Sequence, residues 1–219
     1  MTDFVVLLSG HGSTLQALLD AVQTGLLPEA CIKGVVSNVE GAYGLERAKI
    51  AQVPIRVVPH NQYASYDTFE ADLASAVFAL SPEPVLVLAG FMRILHDDFI
   101  QKFQGKIINI HPSLLPAYRG LNTYAKALAA GETQHGTTVH VVDNTLDGGP
   151  ILAQLPVPIL ENDTVDTLKA RVQEKERWLY PRILQLIANG DLILDPAPQY
   201  QNKPVPDTGL SALIYQLEN

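Results

Sequence analysis

Residues 3–22 read DFVVLLSGHGSTLQALLDAV: an apolar run, a glycine-rich turn and an amphipathic segment in direct succession. The run Phe4–Leu8 shows no polar alternation, which suits a strand covered on both faces. After the turn, Leu15, Leu18, Leu19 and Val22 recur at i, i+3, i+4 and i+7, the single apolar stripe of a helix packed on a sheet. Ser13 and Gln16 have capping-box spacing, so the helix is expected to start with Ser13 as its cap and to stop at Gly25. A strand, a tight turn and a helix in this order form the unit from which doubly wound sheets are built.

The same alternation continues. CIKGVVS (31–37), IRVVP (55–59), VLVLA (85–89) and KIINI (106–110) read as further strands. Phe69, Leu73, Val77 and Leu80 mark a helix ended by Ser81-Pro82. Beyond Pro116, TTVHVVD (137–143) and PILAQLPVPI (150–159) read as strands joined by the turn NTLDGG. A long helix starts near Thr164 with Val165, Leu168 and Val172 inward and ends by Gly190; Pro181 is expected to kink or break it. The Pro-rich stretch 195–210 supports only a short hairpin or an extended tail. The expected fold is α/β, a doubly wound, mostly parallel sheet with a Rossmann-type N-terminal half. It forms a single domain over 1–190, in halves 1–110 and 111–190, followed by a tail over 191–219.

Bulk properties narrow the function. The 219 residues, 47% hydrophobic and 17% charged, have the composition of a soluble globular protein. A net charge of −8 argues against a general binder of nucleic acid or anionic membrane. Cys31 is the single cysteine, so a reducing compartment is expected. The start MTDFVVLLSG carries no basic leader and no membrane-length apolar run, and a cytoplasmic location is expected.

Gly10-His11-Gly12-Ser13 lies between a strand and a helix start, where glycines allow close approach and unpaired helix N–H groups face outward. Such a loop suits a phosphate. A dinucleotide fingerprint needs a third glycine where Leu15 stands, and an acid where Asn38 ends the next strand. A phosphate monoester is favoured over a dinucleotide; a tight turn that binds nothing is the other reading.

The strand KIINI runs into NIHPSLLP (109–116), which puts two polar groups at its end. Asn109 and His111 are two apart, so their side chains leave one face while Ile108 and Ile110 pack on the other. At the carboxyl end of a parallel strand that face borders the ligand crevice. An amide beside an imidazole supplies an oxyanion donor and a proton carrier; a hydrogen-bonded structural pair before Pro112 is the alternative. Asp147, in LDGGP, is a candidate carboxylate partner, although DGG is also an ordinary turn. His60, His96 and His135 are expected to be solvated, and His140 to be an inward polar group with its hydrogen bonds satisfied. A metal set of His135, His140 and Asp143 would draw on opposite strand faces, and no metal is expected.

Taken together, SGHGSTLQALLDA, LAGFMRIL, NIHPSLLP, HGTTVHVVD, LDGGPILAQ and VQEKERWLYP resemble the phosphoribosylglycinamide formyltransferase family, in order from residue 3 to about 190. NIHPSLLP and LDGGPI are shared with other folate-dependent formyltransferases. The opening loop with LQALLDA and the Glu-bearing QEKERWLYP point to the glycinamide ribonucleotide enzymes in particular.

The resemblance implies formyl transfer from 10-formyltetrahydrofolate, as co-substrate, to the glycinamide amine in purine synthesis. Asn109, His111 and Asp147 match the family's catalytic residues. Gly12, Ser13 and Thr14 would hold the ribonucleotide phosphate, helped by Gln173, Glu174, Lys175 and Glu176, with Glu176 at the ribose or glycinamide end. The folate would lie against Met92, Arg93, Ile94, Leu95 and Asn109 and the loop Asp143, Asn144, Thr145, Leu146 and Asp147. The half 1–110 would bind the nucleotide phosphate and 111–190 the folate. The implied partners are small molecules, with a homodimer possible and neither nucleic acid nor membrane. Thr14 stands where Asn is usual, His11 where a small polar residue is familiar, and Tyr66 where an Arg is often found. Methionyl-tRNA formyltransferase, a silent nucleotide sensor on the same fold and a dinucleotide-dependent oxidoreductase are the rival readings. The first is disfavoured by the acidic chain and the short stretch after the last helix, the second by the intact Asn/His/Asp set, and the third by Leu15 and Asn38.

Overall fold

The computed structural model describes residues 1–211 and residue 214. In β1 (Thr2–Leu8), Phe4, Val6 and Leu8 enter one buried cluster while Val5 and Leu7 enter another. That two-sided burial is why the run lacks polar alternation. On one side β1 pairs in parallel with β2 (Ala30–Ser37), and β2 with β3 (Ile55–Val57). On the other it pairs in parallel with β4 (Val85–Leu88), and β4 with β5 (Ile107–His111). Two antiparallel strands, β6 (Gln134–Val141) and β7 (Ile151–Pro158), complete a seven-stranded sheet of order β3-β2-β1-β4-β5-β6-β7.

Helices cover both faces. Leu15 and Leu18 of α1 (Ser13–Gln23), Leu45 of α2 (Tyr43–Ile50) and Leu179, Tyr180 and Ile183 of α6 (Val165–Ala188) share a cluster with Phe4, Val35, Ile108 and Ile110. Phe69, Leu73 and Val77 of α3 (Tyr66–Phe78) and Phe99 of the short α4 (Asp97–Ile100) join Leu86 and Ile107 on the opposite face. The chain reverses direction across the sheet between β1 and β4, so their carboxyl ends open a crevice. α5 (Thr123–Ala129) follows the turn after β5. No helix among the described residues is long and apolar enough to cross a membrane.

Two local expectations are corrected. Ser13 is the first helical residue, not the cap; the cap is Gly12, at φ 73°, and it makes no side-chain bond. A Cβ on Gly12 would lie 2.6 Å from the Cα of Gly44, so the backbone approach of loop and α2 demands glycine at the cap position. The Gln16 side chain instead bonds Asp20 and Arg47.

Pro181 does not break its helix, because α6 runs continuously over Val165–Ala188. A proline inside a helix costs about 3 kcal/mol through its missing N–H bond and ring clash, but Leu179, Tyr180, Pro181, Ile183 and Leu184 are all buried there. The Tyr180 hydroxyl also reaches the carbonyls of Leu88 and Ile108, each at 3.0 Å. Packing outweighs the local defect.

After α6, β8 (Leu192–Ile193), β9 (Gln199–Tyr200) and β10 (Lys203–Pro204) form a small antiparallel sheet. The chain then ties back through Leu210 N–H to the Leu152 carbonyl at 2.6 Å. The tail at 212, 213 and 215–219 lies outside the described residues.

Candidate active site

The end of β5 has the alternation expected of it. Ile108 and Ile110 lie in the cluster under α1 and α6, and Asn109 and His111 project from the other face. His111 is buried and both ring nitrogens face acceptors: Nε2 lies 3.0 Å from the Tyr118 carbonyl and Nδ1 3.5 Å from Oδ2 of Asp147. A ring with hydrogen on both nitrogens satisfies both contacts, whereas a neutral ring would turn a lone pair toward an acceptor.

Asp147 comes from the loop after β6, with φ at 46°, and its Oδ2 accepts the Gly120 N–H at 2.8 Å. The glycines that follow it make this placement possible. A Cβ on Gly149 would lie 2.0 Å from the Val141 carbonyl oxygen, and one on Gly148 would strike the Thr145 hydroxyl. The carboxylate, imidazole and amide therefore converge from one strand and one loop.

His140 completes the group. It is the register partner of Asn109 across β5–β6 and is buried. Its Nδ1 faces the Val141 carbonyl at 3.0 Å, so Nδ1–H donates there and Nε2 is left as an acceptor for the Asn109 amide at 3.1 Å. Burial pushes the His140 pKa down, which keeps the ring neutral and fit for this role. Asp147 Oδ1 lies 3.8 Å from the same nitrogen. The register of β6 with β7 shifts between Val139 and His140, a bulge of the kind that re-aims side chains beside sites.

Two surfaces flank this centre. After β4, Leu95 is buried while Met92 and Ile94 are exposed apolar side chains, and the Arg93 guanidinium stands 4.5 Å over the Tyr66 ring. Met92 N–H is held by the Ser9 hydroxyl at 2.7 Å, which ties this segment to the end of β1. In the loop 143–147, Asp143 Oδ1 accepts the Thr145 N–H at 2.9 Å, and Asn144 and Leu146 are exposed.

On the β1 side, Gly12, Ser13 and Thr14 form the start of α1 at the crevice. Of the α6 segment, Glu176 is buried, Gln173 and Lys175 are half-buried, and Glu174 is exposed. Burial raises the Glu176 carboxyl to a pKa of about 7, opposed by the nearby Arg177 and Lys169 charges. Among the described residues no group of three or more His, Cys, Asp or Glu is placed to hold a metal.

Comparison with known proteins bears on what this geometry serves. A sequence profile of the formyl transferase family matches residues 2–184. The chain belongs to the formyl transferase family. It is 42% identical over 210 residues to phosphoribosylglycinamide formyltransferase of Haemophilus influenzae, covering 95% of this chain and 98% of that one. It is 39% identical to the Escherichia coli enzyme of the same name, covering 96% and 99% of the two chains. The solved structure of the Coxiella burnetii phosphoribosylglycinamide formyltransferase, in complex with CHES, superposes with a TM-score of 0.89 at 44% identity over 95% of this chain. The resemblance and the fold class read from the sequence are thereby borne out.

In this formyl transferase two histidines were misread from sequence. His135 is not solvated: it is a β6 residue, 1% exposed, packed edge-on against the Tyr118 and Tyr124 rings. His60 is half-buried and bonds Asn38, while His96 is about half exposed. His140 was read as a satisfied inward group, which it is, but its bond to Asn109 went unseen. Strand pairing across 31 residues leaves no local trace; only the antiparallel register reveals it.

Proposed function

We propose that the chain transfers a formyl group from 10-formyltetrahydrofolate to the amine of 5-phosphoribosylglycinamide, a step of purine synthesis, by direct attack through a tetrahedral intermediate. The observation that carries the mechanism is the convergence of the Asn109 amide, the His111 imidazole and the Asp147 carboxylate at one strand end. The names borne by the relatives support the choice of acceptor.

In this reading the neutral amine attacks the formyl carbon. The oxyanion that develops is met by the Asn109 N–H not used on His140 and by a doubly protonated His111. Asp147 orients His111 and helps a water carry the proton from the attacking amine to the departing folate nitrogen. The folate lies against the Met92–Leu95 segment and the loop 143–147. The phosphate sits on Gly12, Ser13 and Thr14, and Glu176 takes the ribose or glycinamide end. Each half then contributes to both ligands: 1–110 the phosphate turn and the Met92–Leu95 wall, 111–190 the loop 143–147 and Glu176. No metal enters the reaction. The setting is cytoplasmic, with small-molecule partners and a homodimer as the assembly to look for.

The deciding experiment follows 10-formyltetrahydrofolate consumption by the purified protein with and without 5-phosphoribosylglycinamide. Turnover that requires the acceptor is expected. Folate turnover independent of it would make the protein a hydrolase and overturn the proposal.

A further inference from the structure

An open cleft of about 500 Å³ runs between α1 and α6, lined by Ser13, Gln16 and Asp20 on one side, Arg177 and Arg182 on the other, and Arg47 of α2. The two helices run in the same direction. The Tyr180 hydroxyl meets the carbonyl of Leu88, the last residue of β4, and that of Ile108 beside it in β5, whereas the Ala188 carbonyl accepts from Thr2 at the start of β1. α1 likewise leaves the carboxyl end of β1 at Ser13 and descends to Gln23. Arg177, one turn before Tyr180, therefore lies at the Ser13 end of the cleft, and Arg182 lies farther down.

At that upper end α1 offers donors and little to neutralise them. Its first helical bond runs from Gln16 N–H to the Gly12 carbonyl, so the N–H groups of Ser13, Thr14 and Leu15 have no helical acceptor. The first turn holds no acidic residue and no side-chain cap. The other guanidiniums of the cleft are engaged: Arg47 bonds the His11 carbonyl and Gln16, and Arg182 lies 3.7 Å over the Trp178 ring and bonds its carbonyl. Arg177 is exposed and its charge acts on the neighbouring buried Glu176, while among the described residues no hydrogen bond or close ion pair engages its guanidinium. Gln173, one turn earlier on α6, is uncharged.

We propose that Arg177 is a phosphate-binding residue, whose guanidinium reaches across the cleft to the substrate phosphate on the first turn of α1; this rests on the acceptor assigned above. A phosphate monoester is close to dianionic at neutral pH. Backbone N–H groups and hydroxyls hydrogen-bond it but carry no net charge, and a planar guanidinium supplies both charge and paired donors.

The test compares wild type, Arg177→Ala and Arg177→Lys by steady-state kinetics in both substrates, by calorimetric titration with inorganic phosphate, and by thermal melting. In Arg177→Ala the acceptor KM and the phosphate Kd are expected to rise about 10- to 100-fold, with kcat, donor KM and melting temperature unchanged. Arg177→Lys, which restores the charge without the paired donors, should recover part of the loss. Unchanged acceptor KM and phosphate affinity in Arg177→Ala overturn the assignment, as does a fall in melting temperature that Arg177→Lys shares. If wild type shows no formyl transfer, the proposed function fails, and the phosphate titration still decides the role of Arg177.

Discussion

The Asn109 amide nitrogen lies 3.1 Å from Nε2 of His140, across the antiparallel pairing of β5 and β6. The ring's other nitrogen is fixed by the Val141 carbonyl, so His140 holds the amide in one rotamer and leaves its second N–H for the crevice. Removing the ring should misplace the amide without touching substrate. His140→Ala is expected to lower kcat about 10- to 100-fold with little change in either KM. Steady-state kinetics check this, and a wild-type kcat would show that Asn109 needs no such support.

His111 stands between two acceptors and is proposed to meet the oxyanion that develops on the formyl group. His111→Ala should reduce kcat by at least about 10²- to 10³-fold, while calorimetry finds substrate affinities within a few-fold of wild type. Turnover near the wild-type rate would remove His111 from the mechanism.

Glu176 ties stability to pH. Its buried carboxyl is raised from 4.5 to about 7, so the folded protein holds the proton more tightly than the unfolded chain. The associated stability is complete below 4.5 and is lost as pH rises through 7. Glu176→Gln should therefore exceed wild type in stability at pH 8, by up to about 3 kcal/mol, and match it near pH 4.5. His135 and His140, whose pKa values burial lowers, titrate in both proteins and cancel in the difference. Urea unfolding at the two pH values gives the answer; a gap independent of pH would contradict the assignment.

Gly10 and Gly12 make a matched pair of tests. Gly12 sits at φ 73° with Gly44 backbone against it, whereas a Cβ on Gly10 would meet nothing within 4 Å. Gly12→Ala is expected to cost about 2 kcal/mol or more, and Gly10→Ala less than about 0.5 kcal/mol. Equal effects in denaturant unfolding would mean that the loop is not set by the Gly44 contact.

Periodicity carried much of the fold because burial on one or both faces of an element is written into its own residues. Phe4–Leu8 and Leu15, Leu18 and Leu19 were legible for that reason, as was the shared face of Asn109 and His111. What escaped depended on distant backbone. Ser13 and Gln16 satisfied a local capping rule, but Gly44, thirty residues on, required glycine in the left-handed region at position 12. Pro181 obeyed a local rule that the packing of α6 overrode. α2 was not read, its short segment carrying only Leu45 and Ala48 inward besides Gly44. His135 looked like a loop residue because its strand begins at Gln134, directly before it.

The bond from Tyr180 to the carbonyls of Leu88 and Ile108 has a consequence for synthesis of the chain. Asn109, His111, His140 and Asp147 have all been synthesised by residue 147, yet the helix that seals the strand beneath Asn109 is still to come. A nascent chain halted before α6 therefore carries every proposed reacting group without the buttress that sets their spacing. In the proposed mechanism, the site is complete only once α6, the last long helix of the described residues, has packed beneath it.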